Sequence, residues 1–216
     1  MVARRMRPAR PIALLSMLTA VAGSCAPPAH PVVAARRAEP VIALRHHSAD
    51  ELATRRQLER LLAQYDVSPW AFTDRIEIDE DAIPNSHPVL TLHTRHLLDD
   101  LLLLSTYVHE QSHWYFMAHR AATVAAIAEL EVGYPDLPVG FPDGADSREA
   151  SYEHLCVIAF ELDGMRRLVG ELRAREVLEF WATDHYRVLY RIVLEHNRAI
   201  REVMKRHGLE PPARVM

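Results

Sequence analysis

The chain has 216 residues, 49% apolar and 25% charged, with 25 basic and 29 acidic side chains. That suffices for one globular domain plus a short extension, and a mildly acidic chain without basic clusters argues against nucleic acid as a partner. Two cysteines, Cys25 and Cys156, exclude a disulfide framework.

In chain order, residues 1–24 read as a secretory signal. "MVARRMRPARP" carries four arginines and no acid, and "IALLSMLTAVAG" (12–23) is an apolar run too short to span a bilayer comfortably. Small residues then lead to Cys25. "VAGSC" resembles a bacterial lipobox, which implies lipid on Cys25; ordinary cleavage after Ser24 is the alternative. Without the four signal arginines the chain keeps 21 basic against 29 acidic residues, a formal charge of −8. The expected location is the cell envelope, as a membrane-anchored lipoprotein. Residues 25–47, rich in proline and alanine and without a period, read as a tether.

The domain is expected over 48–210. "SADELATRRQLERLLAQYD" (48–66) opens with a Ser/Asp cap signal and reads as a surface helix. "DRIEID" (74–79) and "HPVLTLHT" (87–94) are strand candidates. From Arg95 to about Ala121 the pattern is helical and apolar nearly all round, as suits a central helix. A further helix runs to about residue 131, and "VGYPDLPVGFPDGAD" (132–146), with three prolines and three glycines, is a loop. Residues 147–170 form another apolar helix, in which Cys156 within "LCVIAF" reads as a buried thiol. The remainder to about His207 gives one or two long helices with Trp181, Tyr186, Tyr190 and Ile192 inward. The class is mainly α with a small β element.

Within the central helix, "STYVHEQSHWYFMAHR" (105–120) places His109, Glu110 and His113 where a core helix should carry leucines. One turn apart, the two imidazoles share a face and can take two corners of a zinc tetrahedron. Glu110 projects about 100° around the helix, beside an ion held there, where it can take a proton from zinc-activated water. Thirteen histidines make a chance match conceivable. The competing reading is two core histidines satisfied by carbonyls and an exposed glutamate. The apolar context weighs against it, because unpaired polar groups there are costly.

These residues resemble the zincin class of metallopeptidases, over His109–His113 with the flanking "TYV" and "WYF" and more loosely over 89–165. More narrowly, they are similar to a group of small uncharacterised bacterial proteins with an H-E-Q-x-H-W core and a later His-Leu-x-Val-x-x-x-Glu element, here His154, Leu155, Val157 and Glu161. The zincin resemblance implies Zn2+ and hydrolysis, with the motif helix packed on a second buried helix that carries the third ligand; a strand before the motif would dock an extended substrate. No Gly-x-x-His follows His113 within six residues, so the metzincin pattern is absent.

A catalytic zinc needs that third ligand plus an open position. In 147–170, Glu149 and Glu153 are spaced i, i+4, as in gluzincins but with Glu for Asp. His154 and Glu161 are seven apart on the apolar face. His154 is the favoured ligand, with Glu161 orienting a ligand imidazole from outside the coordination sphere. Glu149, Glu153 or Glu161 as ligand remain alternatives, and Glu161 could instead pair with Arg166 or Arg167. Tyr107 and Tyr152 are candidates for stabilising an oxyanion, Trp114 reads as packing, and the other histidines as surface or capping residues. The expected function is an exported zinc-dependent peptidase with Glu110 as general base, acting on a peptide or protein substrate. The alternative is a catalytically silent zinc-binding envelope module, and a third reading is a metal-free helical adaptor.

Overall fold

The computed structural model describes residues 39–211. The signal segment, Cys25 and most of the tether therefore lie outside the described residues. Three short strands, β1 (Val41–Leu44), β2 (Arg75–Ile78) and β3 (Leu90–Leu92), form a parallel sheet in the order β1-β2-β3, with Ile42 opposite Ile76 and Ile76 opposite Leu90. Six helices follow the chain: α1 (Ala49–Gln64), α2 (Asp100–Ala118), α3 (Arg120–Gly133), α4 (Arg148–Val169), α5 (Glu171–Asp184) and α6 (Arg187–Arg206). The mainly α class with a small β element is what the periodicities indicated.

One boundary differs. Val41–Leu44 fell inside the stretch read as tether, yet it is the first strand of the sheet. Four residues are too few to show a period of two. Parallel pairing across a helical crossover supplies what the local pattern lacks. The crossover is α1, capped by Ser48, whose side chain accepts from the Glu51 backbone. The buried Glu51 carboxylate in turn accepts the His46 and His47 amides, each at 2.8 Å, fixing the turn out of β1.

Helix α2 begins later than the apolar pattern suggested. Residues 94–96 form a single 3-10 turn, and Asp99 caps α2 by accepting from the amides of Leu101 and Leu102. From there α2 is buried on most sides. Its Gln111, fully buried, accepts from the amides of Phe72 and Thr73 at 2.6 and 2.8 Å and donates to the Thr73 carbonyl at 2.9 Å. The glutamine of the motif thus bolts the entry to β2 onto the metal-motif helix.

Helix α4 crosses α2 closely, and a glycine permits it. A Cβ on Gly164 would lie 2.9 Å from Val108 Cγ1 and 3.0 Å from Trp70 Nε1, so any side chain there would push α4 away from the residue preceding His109. At its start, the Ser147 side chain caps α4, and Ser151 ties loop 137–146 down by accepting from the Ala145 amide and donating to the Pro138 carbonyl. Helix α6 completes the bundle with Leu189, Tyr190, Val193, Ile200 and Met204 buried on one face. Ile192 lies beside that face, half-buried. Cys156 is fully buried on α4, and burial pushes its thiol up to about 12, as an inert core group.

Candidate metal centre

His109 and His113 stand on consecutive turns of α2, and α4 brings His154 opposite them. The donor nitrogens of the three lie within 4.8 Å of one another, with His109 and His154 buried and His113 half-buried. It can hold a metal ion. The pairs His109–Glu161 and His113–Glu153 run in opposite chain directions, so α2 and α4 are antiparallel here.

Each imidazole is held from behind. His109 Nδ1 meets Glu161 Oε2 at 2.9 Å, His113 Nδ1 meets Glu153 Oε1 at 3.4 Å, and His154 Nδ1 meets the Ala150 carbonyl at 2.7 Å. Carboxylates and carbonyls accept, so the proton sits on Nδ1 and the Nε2 lone pairs are left to converge. Burial favours that same neutral form. Desolvation first, then the neighbouring histidines, hold His109 and His154 well below the ordinary histidine range.

Glu161 is the best-anchored of the supporting groups and has no exposed surface. It accepts from the Ser105 hydroxyl, from the Tyr190 hydroxyl at 3.1 Å and from His109. Trp181 Nε1 in turn donates to Ser105 Oγ at 3.0 Å. Desolvation raises Glu161 to about 7 against the opposing pull of the Ser105 and Tyr190 hydrogen bonds. The pairing with Arg166 or Arg167 is absent: Arg166 binds Glu171 and Asp163, and Arg167 lies over the Trp70 ring.

The competing third ligands resolve by position. Glu149 pairs with Arg120 at the exposed start of α4. Glu153 takes the orienting role on His113 and also binds Arg120 at 3.2 Å. His154 is the residue that joins the pair.

Glu110 lies beside this group, 7% exposed, and its carboxylate hydrogen-bonds no described residue. Desolvation, with a smaller push from Glu161, raises it to about 7. It faces a cleft of about 800 Å³ bounded by the segment 83–86, the 141–146 loop and the turn between α5 and α6. The exposed Ile83 and Phe141 stand on its lining.

That last turn escaped the sequence reading. Tyr186 occupies the left-handed region at φ 47°, a conformation that costs a non-glycine residue about 1–2 kcal/mol. The start of α6 is nonetheless fixed there, since the amides of Arg187 and Val188 donate to the Pro142 and Asp143 carbonyls at 3.0 and 3.3 Å. Arg187 Nε also donates to Asp143 Oδ1 at 3.0 Å. The Tyr186 ring packs on His154, centroids 4.3 Å apart. Beside it, His185 Nδ1 donates to Asp184 Oδ2 at 2.9 Å, and Arg95 holds the other Asp184 oxygen at 2.8 Å. His185 and the buried His96 line the cleft and are not surface residues as expected.

Two expected tyrosines are elsewhere. Tyr152 donates its hydroxyl to the Tyr134 carbonyl at 2.5 Å, and Tyr107 lines a different hollow near Tyr65 and Phe72. The signal for Tyr186 and Tyr190 was present as inward-facing aromatics, but periodicity cannot tell a cleft wall from a core. Ser105, one turn before His109, was legible only once its partner on α4 was known. Trp114 packs as expected, stacked on His87 with ring centroids 4.3 Å apart.

Comparison with protein-family models, curated proteins and solved structures finds no match.

Proposed function

We propose that the protein is an exported zinc-dependent peptidase of the cell envelope, anchored by lipid on Cys25, in which His109, His113 and His154 hold the zinc and Glu110 is the general base. One arrangement carries the reading: three imidazoles, each fixed through Nδ1, turn their free nitrogens toward one point beside a carboxylate that hydrogen-bonds no described residue, in an open cleft. An all-nitrogen set of three suits zinc with a fourth position open, whereas calcium and magnesium ask for oxygen ligands. When bound, zinc supplies positive charge that polarises a substrate carbonyl and acidifies water. The protein's own groups do the rest. Glu161 and Glu153 keep the rings from rotating and make the imidazoles better donors. Glu110, raised by burial to about 7, suits the removal of a proton from the attacking water and its return to the leaving amine.

A second reading, a silent zinc-binding module, draws on one observation. The expected docking strand exists as β3, but its outward backbone is already paired: the Asn85 amide donates to the Thr91 carbonyl at 3.1 Å and the Thr91 amide to the Asn85 carbonyl at 2.7 Å. An extended peptide has no open strand edge there.

The two readings separate on Glu110→Gln in the full chain. The peptidase reading expects zinc content unchanged and cleavage of a peptide library reduced at least ~100-fold, the usual weight of a general base. Zinc-loaded wild type that cleaves nothing in the library would leave the binding module as the function. The anchor is tested separately: Cys25→Ser should leave the membrane fraction or stay unprocessed, and a variant that is processed and fractionates like wild type would remove the lipid from the proposal.

A further inference from the structure

The chain keeps a large aromatic residue at a backbone position that suits glycine or asparagine. At Tyr186 the left-handed backbone is held in place from both sides: the Arg187 and Val188 amides bind the 142–143 carbonyls, and the Arg95–Asp184–His185 chain fixes the residues before it. The effect is to lay the phenol across His154 inside the cleft, within electrostatic reach of Glu110. Three other tyrosines have used their hydroxyls. Tyr190 donates to Glu161, Tyr152 to the Tyr134 carbonyl and Tyr115 to the Glu210 carbonyl. The hydroxyl of Tyr186, which is half-buried on the cleft wall, donates to no described residue. A strained backbone that presents an unused donor beside a candidate metal centre points to a ligand as the missing acceptor.

We propose that Tyr186 is a catalytic residue, its O–H donating a hydrogen bond to the substrate carbonyl oxygen as negative charge gathers on it. The inference rests on the hydrolytic reading above. In the step it serves, the water oxygen bonds to the carbonyl carbon and its proton passes to Glu110, while the C=O π pair moves onto oxygen. Tyr186 keeps its proton and stabilises that oxygen through the hydrogen bond alone. Collapse restores the C=O bond and breaks C–N, and the leaving amine takes the proton from Glu110. Because the phenol lines the cleft against His154, it offers a hydrogen-bond donor where neither the histidines nor Glu110 does.

The test needs no substrate. The full chain is loaded with cobalt(II) and its visible bands are titrated with phenylphosphonate, a tetrahedral oxyanion, and separately with 2-mercaptoethanol, whose sulfur needs no donor. Tyr186→Phe is expected to weaken phenylphosphonate roughly 10- to 100-fold, the worth of a hydrogen bond to a charged acceptor, with thiol binding and cobalt affinity unchanged. Tyr186→Gly, which relieves the left-handed strain but removes the ring from His154, should lose the phosphonate affinity equally. Equal phosphonate affinity in Tyr186→Phe and wild type overturns the inference. So does a parallel loss of phosphonate and thiol binding, which marks a structural role. A wild type that takes up no cobalt overturns the metal reading itself, and this inference with it.

Discussion

Among the described residues, two groups of side chains place three potential metal donors within 4.8 Å of one another: His109, His113 and His154, and, just after β1 and β2, His46, Asp79 and Asp81. They differ in what surrounds them. In the second group His46 Nε2 lies 3.3 Å from Asp79 and 3.5 Å from Asp81, and the His46 and Asp81 side chains are 42% and 82% exposed. Its charges answer one another and the solvent. In the first, His109 and His154 are buried and His113 is half-buried, and each imidazole is fixed by an acceptor that leaves one nitrogen free. Closeness of donors is cheap on a surface. Burying three polar rings together is not, unless something satisfies the nitrogens that face inward.

The largest effect that would break this contrast is loss of metal. His109→Ala, His113→Ala or His154→Ala should each abolish tight zinc binding by the full chain, read as zinc per chain after dialysis, and chelation of wild type should lower its melting temperature. Zinc retained by His154→Ala would return the third ligand to a carboxylate of α4.

Next in size are the residues behind the ligands. Glu161→Gln and Glu153→Gln should weaken zinc by roughly 10- to 100-fold. Glu161 should matter more, because it is wholly buried and 2.9 Å from its histidine, whereas Glu153 is 3.4 Å away and shared with Arg120. Competition with a chromogenic chelator would rank them. Glu149→Ala should leave affinity unchanged, and a tenfold loss there would contradict its assignment to an Arg120 surface pair.

Much of this was legible in the sequence, for a physical reason. Helical spacing is local information, so His109 with His113, and His154 with Glu161, declared their shared faces at once. Helices α1 to α4 followed from long periodic stretches, while the region of α5 and α6 read only as one helix or two. What stayed hidden depends on contacts across the fold. Val41–Leu44 becomes a strand through β2, Glu153 changes from candidate ligand to orienting group because α4 faces His113, and Tyr186 enters the cleft only because loop 141–144 fixes its turn.

Acid should act through His96 in a defined direction on the metal-free protein. Burial lowers His96 to about 4, and His109 and His154 also titrate well below their ordinary value. The unfolded chain protonates His96 from about pH 6.5 downward while the fold does not, so the stability His96 contributes is full above that pH and is lost as pH drops toward 4. Glu110 and Glu161, raised by burial to about 7, take up protons in the fold first and act in the opposite direction. Between pH 6.5 and 5, His96 alone accounts for on the order of 2 kcal/mol. Thermal melts of chelated wild type and His96→Gln across that range should differ in slope by that amount, the wild type losing more stability as pH falls. Equal slopes in wild type and His96→Gln would mean that this ring is charged in the fold.

Packing sets a smaller term. Gly164→Ala puts a methyl group 2.9 Å from Val108 Cγ1, in a core with no loose side chain to move. Overpacking of this kind costs about 1–3 kcal/mol, partly offset by the roughly 1 kcal/mol that alanine gains over glycine within a helix. The expected net is a destabilisation of about 1 kcal/mol, together with weaker zinc binding, because the strain falls on the residue before His109. Denaturant melts and chelator competition on one variant measure both. Unchanged zinc affinity alongside lost stability would show that α2 absorbs the push without moving its histidines.

The smallest effect is expected at the exposed trio, and it tests the contrast from the other side. His46→Ala removes the imidazole from Asp79 and Asp81 but leaves the backbone in place. The His46 amide still donates to Glu51 at 2.8 Å, and the Asp81 amide still donates to Asp79 at 2.9 Å. An exposed histidine–carboxylate contact is screened by water and salt, so stability should move by no more than the ~0.5 kcal/mol common to surface substitutions. Zinc stoichiometry and affinity should not change. If His46→Ala lowered the zinc content of the full chain while His154→Ala did not, closeness of donors alone would have been enough, and the buried site would lose its claim to the metal.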